Sequence, residues 1–348
     1  MSAPVSTSLL RRPAVWLTLA AVAAAFAVPF LVSDYDLFNL CRVMAVAMCV
    51  ASLNLVMGYS GQVSLGHGAI FGVGGYATMM SIKFLGLPVI GGLAAGVLAC
   101  VVVGVVIGIP AIRLGGFNLG LFTIVIAALF PLVLYRFSDF TGGQAGVTLP
   151  FKPFISPTAS LTDEQWMYIV VLVLLVAVLF LLHRVVSGRT GRALAAMRAG
   201  RILAVSNGVR VDHIKFQFFV LSSAIAGLAG GLFGLVLGLV VPESYPLILS
   251  ISLLVASVVG GSRSWFGAVL GAAVVVYLPT LTSALVPGQA SAYLAQLAFA
   301  IILGLCVILA PNGVAGGIHA LVRMVTSRRF ISHPNPAPKI SINQEELT

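Results

Sequence analysis

Long apolar stretches separated by short polar ones run along most of the chain. Ten of them approach or reach membrane length: 15–32, 38–57, 66–84, 88–110, 117–136, 167–184, 216–240, 246–260, 265–285 and 293–311. A helix needs about 20 apolar residues to cross a hydrocarbon core of about 30 Å. The eighth stretch is short, so nine spans plus a re-entrant segment is the alternative count. A spanning backbone has to satisfy its own polar groups, which makes helices the expected form. The alternating segments of about ten residues that mark a β-barrel do not occur in the pattern. The expected fold is an all-α polytopic membrane protein of about ten transmembrane helices. Its divisions are an N-terminal segment at 1–14, a transmembrane domain at 15–312 with a loop at 187–215, and a tail at 313–348. The tail's last part, 331–348, is polar, carries Pro334 and Pro336, and reads as disordered.

One interruption differs from the others. The stretch "LNLVMGYSGQVSLGHGAIFGVGGYA", Leu53 to Ala77, starts as an apolar helix, breaks into Gly, Ser, Gln and His, and resumes as a glycine-studded helix. Irregular backbone at membrane depth survives only inside protein or beside a water-filled cavity. Transporters build substrate sites from such discontinuous helices. One reading therefore sets Gln62, Ser64 and His67 on a solute path, with Asn54 and Tyr76 close by in sequence. The other makes 58–68 a polar turn in which Ser64 caps the third helix. A histidine with an ordinary pKa of about 6.5 is mostly neutral near pH 7, so His67 can donate or accept. A related pattern returns late. "GQVSLGHGAIFG" (Gly61 to Gly72) and "GSRSWFGAVLG" (Gly261 to Gly271) share Gly-x-x-Ser followed by Gly-Ala-x-x-Gly. Either they mark an internal repeat, or two packing motifs converged on small residues. Gly104 and Gly108, Gly227 and Gly231, and Gly230, Gly234 and Gly238 recur every four residues, a spacing that lets helices approach closely.

Composition fixes the solvent. Of 348 residues, 60% are hydrophobic and 8% charged, more apolar surface than a soluble domain can bury. The net charge of +10 is explained by sidedness rather than by nucleic acid, because the basic residues sit in short loops. With the N-terminus inside, Arg11, Arg12, Arg113, Arg184, Arg189, Arg192, Arg198, Arg201, Arg210, Lys215, Arg263, Arg323, Arg328, Arg329 and Lys339 are cytoplasmic. Only Arg42, Lys83, Arg136 and Lys152 fall outside. Asp34, Asp36, Asp139, Asp163, Glu164 and Glu243 fall outside as well. Both distributions agree with ten spans and cytoplasmic termini. The start "RRPAVWLTLAAVAAAFA" has the basic head and small-residue end of a signal peptide, but the charge pattern closes when it is kept as the first span.

Several function classes lack their residues. No Asp or Glu lies inside a predicted span, whereas ion-coupled transport usually needs an intramembrane ionisable group. There is no GxxxxGK[ST] phosphate loop, no HExxH and no GxSxG. The chain therefore reads as non-enzymatic, with any driving energy supplied by another subunit. Cys41, Cys49, Cys100 and Cys306 all lie in spans without metal-like spacing and read as small buried hydrophobes. The five histidines are scattered and suggest no metal. In the loop "SGRTGRALAAMRAGRILAVSNGVRVDHIK", Arg192 to Val205 is a helix former that Gly208 should stop. Its Ala, Leu, Met, Ile and Val residues among arginines suit either a groove on a partner protein or anionic lipid.

At this point the residues resemble a known family. "GYSGQVSLGHGAIFGVGGYA" is similar to the signature of branched-chain amino-acid ABC permeases of the LivH/LivM type. "RLGGFNLGLFTIVIAALF…TGGQAGV", "GRALAAMRAGRILAVSNGVRVDHIKFQFFVLSSAIAGLAGGLFG", "VPESYPLILSISLLVASVVGGSRSWFGAVLGA" and "ILAPNGVAGG" follow in the order of the LivM half. The resemblance spans roughly 38–317. It implies a permease subunit for branched-chain or related hydrophobic amino acids, in a bacterial cytoplasmic membrane. It also implies a homologous second permease, two cytoplasmic ATP-binding subunits using ATP and Mg, and an extracytoplasmic substrate-binding protein. No cofactor is implied in this chain. The coupling loop would present Arg192, Arg198, Arg201, Ala204 and Gly208 to the ATPase. The chain departs from the family at Arg201, Ala128 and Ser252, where acids are common, and at Gly115 and Asn118. Superfamily relatives carry urea, amides and other small polar solutes, and a passive solute channel or a purely structural membrane subunit are readings from other classes.

Overall fold

A computed structural model describes residues 22–113, 117–158 and 160–285, with isolated positions at 294, 297, 300 and 301. The segment 1–14, the tail 313–348 and nearly all of the tenth predicted span lie outside the described residues, and the first span is described only from residue 22. The helices are α1 (Asp34–Asn54), α2 (His67–Leu85), α3 (Val89–Arg113), α4 (Phe117–Arg136) and α5 (Asp163–Ser187). They continue as α6 (Arg189–Ala199), α7 (Arg201–Ser206), α8 (Val211–Leu237), α9 (Leu247–Gly260) and α10 (Trp265–Leu285). Seven described helices, from Asp34–Tyr59 to Pro242–Gly260, are long and apolar enough to cross a membrane. The apolar α10 follows them. The short eighth stretch becomes α9, 14 residues long and preceded by the 3₁₀ turn Pro242–Ser244.

Sequence-local chemistry starts these helices. Ser33 caps α1 by accepting from Asp36 N. Thr162 and Gln165 form a reciprocal capping box at α5. Asp34, Asp36, Asp163 and Glu164 occupy the first turns, where carboxylates oppose the positive end of the helix dipole. Lys152 stands 3.5 Å from Asp163 and 3.7 Å from Glu164, pairs weakened by their exposure to solvent.

The bundle is organised around α1 and α8. Helix α8 packs on α3, α2 and α1, while α1 also packs on α10 and α5. Small residues make this possible. A Cβ at Gly74 in α2 would strike the backbone of Gly227 in α8, and one at Gly230 would strike the carbonyl of Phe71. Gly104 and Gly108 in α3 face Ser223 and Phe216 of α8. Gly238 leaves this stripe: at φ +69 it is the left-handed C-cap of α8 rather than a packing position.

The loops gather at two ends. At one end β1 (Val147–Thr148) pairs antiparallel with β2 (Leu239–Val240), joining the long 137–162 loop to the end of α8. This two-stranded ribbon has no counterpart in the hydropathy pattern, because two residues are too few to give a period. At the other end lie the 60–66 break, α6, α7 and the 261–264 break. There Tyr59, Ser60, Met197, Lys215 and Arg263 line one cleft of about 280 Å³. The predicted helix over Arg192 to Val205 is two helices instead. Gly200, at φ +150, takes a conformation that side-chain-bearing residues rarely adopt and splits it into α6 and α7.

Candidate functional site

The first break begins by underwinding. Helix α1 runs on through a π turn, Leu55–Tyr59, a form that recurs at functional sites. Gly61 then turns the chain with φ +69. Gln62 N donates to Val56 O at 3.0 Å, and Ser60 Oγ donates to Val56 O at 2.7 Å while lying 3.1 Å from Gln62 Oε1. The buried Gln62 is thereby folded back onto the helix it follows.

Ser64 and His67 belong to a buried chain of hydrogen bonds. Ser64 Oγ lies 2.8 Å from His67 Nδ1, and His67 Nε2 lies 2.7 Å from Ser222 Oγ in α8. Ser222 Oγ in turn donates to the carbonyl of Ser52 in α1 at 2.7 Å. Ser222 has one proton and spends it on that carbonyl. His67 Nε2–H is therefore the donor to Ser222, and Nδ1 accepts from Ser64, which assigns the neutral Nε2–H tautomer. His67 is fully enclosed, with Phe219 edge-on at 6.2 Å. The chain ties α2 to both central helices.

The capping role expected of Ser64 falls to other residues. Gly66 is the N-cap of α2 and offers no side chain. The free amide of Gly68 donates instead to Ser250 Oγ in α9 at 3.1 Å, and the Leu65 amide donates to Thr123 Oγ1 in α4 at 2.9 Å. A Cβ on Gly68 would strike Ser250 Oγ, so the glycine is what admits this cap. Sequence reasoning missed Ser222, Ser250 and Thr123. The only signal they give is a hydroxyl in an apolar helix, and their partners are 155, 182 and 58 residues away.

The second break, 261–264, lies directly against the first. Asn54 accepts from Ser257 Oγ at 2.5 Å and donates to the Ser264 carbonyl at 3.4 Å. Tyr59 Oη donates to the Arg263 carbonyl at 2.9 Å, and Arg263 Nε donates to the Gly58 carbonyl at 3.3 Å. Asn54 is thus a buried link from α1 to α9 and to the break that precedes α10. The two glycine motifs that resemble one another in sequence are neighbours in space.

Tyr76 stands apart. It follows His67 by about two and a half helical turns, and so faces away from Ser222. Its ring meets Phe130 of α4 at 6.4 Å and Tyr245 at 6.1 Å, and Phe130 and Tyr245 meet at 6.2 Å. Gly72 and Gly75 leave room for this cluster, since a Cβ on either would crowd Tyr245 at 3.0 Å or less. The five residues grouped by sequence therefore divide into a pin (Ser64, His67), a folded-back turn (Gln62), a cross-link (Asn54) and an aromatic wall (Tyr76).

On the loop, Arg192 is exposed and Ala204 buried, while the side chains of Arg198 and Arg201 lie outside the described residues. Gly208 has φ +74 and closes α7, with the Val209 amide returning to the Ala204 carbonyl at 3.0 Å. Ile202 is 88% exposed, with Leu203 and Val205 also exposed. Among the described residues there is no group of three or more His, Cys, Asp or Glu able to hold a metal.

Residues 37–311 match the family described as branched-chain amino acid transport system / permease component. The chain is 30% identical over 288 residues to the high-affinity branched-chain amino acid transport system permease protein LivM of Escherichia coli K12, covering 74% of this chain and 66% of the relative. LivM of Salmonella typhimurium LT2 is 29% identical over 280 residues, with the same coverage. The LivH permease protein of Escherichia coli K12 is 24% identical over 293 residues, 78% of this chain and 91% of that one. The match to each LivM relative spans 66% of that relative's length. No solved structure matches.

Proposed function

The chain belongs to the family of branched-chain amino acid transport permeases, and from that premise we propose that it is one permease subunit of an ATP-driven importer of branched-chain or related hydrophobic amino acids. It works in the cytoplasmic membrane beside a homologous permease, with two ATP-binding subunits inside and a substrate-binding protein outside. The end carrying α6, α7 and the two breaks is cytoplasmic, and the end carrying the β ribbon faces outward. This sidedness is supported by the basic residues gathered at the first end and the acidic helix starts at the second.

The observation that carries the reading is α7 within a family-matched chain. A six-residue helix presents Ile202, Leu203 and Val205 to solvent at the basic end of the bundle. Exposed apolar residues rimmed by charge mark a protein contact. The cleft of about 280 Å³ lies between α6 and the first break, with Met197 and Lys215 on one side and Tyr59 and Ser60 on the other. A push on α6 therefore reaches the joined breaks directly, which is how nucleotide-driven motion in a partner would change the packing of α1, α2 and α10. The solute path runs along α2, with Gln62, Ser64 and His67 at its inner end.

The test is reconstitution. The chain, its partner permease, the ATPase subunits and the binding protein are placed in liposomes, and labelled leucine uptake is followed with and without ATP. Uptake that requires hydrolysis is the expected result. Uptake that persists with a hydrolysis-dead ATPase would instead establish a passive channel.

A further inference from the structure

Three buried hydroxyls make no hydrogen bond among the described residues: those of Tyr76, Thr78 and Tyr245. The side chains of Tyr76 and Tyr245 are 3% and 1% exposed, and their rings are 6.1 Å apart. A buried hydroxyl without a partner is unfavourable, and native folds keep few of them. Tyr245 is also held where a side chain opposite would exclude it: a Cβ on Gly75 would lie 2.6 Å from its Oη. The two phenols are therefore built into the bundle and left without a partner among the described residues.

Tyr76 lines a groove of about 790 Å³ between α2 and α4, within the size range of small-molecule sites. Val73, Met80, Phe130 and Leu134 give it apolar walls, and among the described residues the exposed Asp139 is the one charged group on its lining. Asp139 makes no salt bridge among the described residues.

We propose that this groove is a binding site for the zwitterion of an aliphatic amino acid. The proposal rests on the import reading above and locates its substrate contact. The Tyr76 hydroxyl on the lining, with the Tyr245 hydroxyl in the layer behind it, supplies donors for the carboxylate, Asp139 supplies the counter-charge for the ammonium, and the apolar walls receive the branched side chain. A zwitterion needs donors for its carboxylate and a negative partner for its ammonium; this site offers a neutral phenol for the first and Asp139 for the second. A lipid chain would leave both phenols unpaired and would make no use of Asp139. The groove lies at the end of the bundle assigned to the outside, where arriving solute first meets the permease.

The experiment uses the complete reconstituted transporter. ATP-dependent leucine uptake is measured for Tyr76→Phe, Tyr245→Phe and Asp139→Asn at matched amounts of chain. The phenylalanine variants keep their rings and lose only a hydroxyl that has no partner among the described residues, so folding is not what they test. Each variant is expected to raise the apparent KM for leucine about tenfold, the scale of one lost hydrogen bond to a charged group. A parental KM in both phenylalanine variants overturns the proposal. A second readout is independent of transport. Ala77 also lines the groove, and leucine is expected to slow maleimide labelling of Ala77→Cys. If the parent takes up no leucine on adding ATP, the import reading falls and this labelling decides the site alone: slower labelling supports it, and unchanged labelling overturns it. Val73→Trp fills the groove and is expected to stop uptake with the subunits still co-purifying. If it instead releases the partner permease, while both phenylalanine variants keep the parental KM, the groove is a subunit interface and the proposal is wrong.

Discussion

Tyr59 and Trp265 stack with ring centroids 5.3 Å apart and planes 14° from parallel. One closes the π turn before the first break, and the other opens the helix after the second. Two interruptions more than 200 residues apart in sequence thus form a single junction, sealed further by Asn54 and Arg263.

That junction should behave as a coupled pair. A stacked aromatic pair contributes about 0.5–1.5 kcal/mol beyond area burial. Tyr59→Leu and Trp265→Leu are each expected to lower the thermal midpoint of the purified chain, and the double variant to lose less than their sum. Additive losses, read by near-ultraviolet circular dichroism in detergent, would count against the junction.

The His67 chain predicts a difference between adjacent serines. Ser222→Ala removes the acceptor of His67 Nε2–H and the donor to the Ser52 carbonyl, which costs about 1–3 kcal/mol for a buried group left unpaired. Ser223 is equally buried but, among the described residues, its hydroxyl donates to Phe219 of its own helix at 2.9 Å and bridges to no other helix. Ser223→Ala should therefore cost less. Equal shifts in thermal midpoint would refute the directional chain.

Placing Gln62 and Ser64 at the inner end of the path predicts a kinetic effect. Gln62→Ala and Ser64→Ala are expected to change apparent affinity or solute preference more than they change chain abundance. Transport that falls only in proportion to protein would assign both residues to packing alone.

Docking of α7 on the ATPase predicts that Ile202→Asp uncouples the complex. Ile202 is almost fully exposed in the isolated chain, so insertion and folding should be spared. ATPase co-purification and ATP-driven uptake should fall at least about tenfold, as expected when a contact worth ~1.4 kcal/mol is lost. Ala204→Glu is a poorer probe, because Ala204 is buried and the charge would disturb the loop itself.

Sidedness is checked by labelling. Ser160 lies in the long loop at the ribbon end, and Ser206 lies at the end of α7; both are exposed. A membrane-impermeant maleimide added to intact cells should modify Ser160→Cys and spare Ser206→Cys. The reverse pattern would invert the topology.

The spans, the break and the segregation of charge were legible because each is written in consecutive residues. Hydropathy located α1 to α5 and α8 to α10, and glycine with serine located both interruptions. The site was only partly legible. His67 stood out as a polar residue in an apolar setting, but nothing local gave its partner Ser222 or showed that Tyr76 faces the other way. Asn54 read as a neighbour of the break and is a link to Ser257 and Ser264. The split at Gly200 was hidden because the residues around it favour helix equally on both sides. Such features depend on long-range packing and on single dihedral angles, neither of which leaves a period in the sequence.

The cap on Gly68 has a mechanical consequence. Helix α2 has no N-terminal cap of its own, and its first turn is completed by a hydroxyl borrowed from α9. The length of α2 and the position of α9 are then one variable rather than two. Withdrawing Ser250 by a single helical step leaves the opening turn of α2 unanchored beside the polar break, so sliding one helix shortens another. Such an exchange converts a lateral displacement between helices into a gap along the bundle, without bending any helix at its middle.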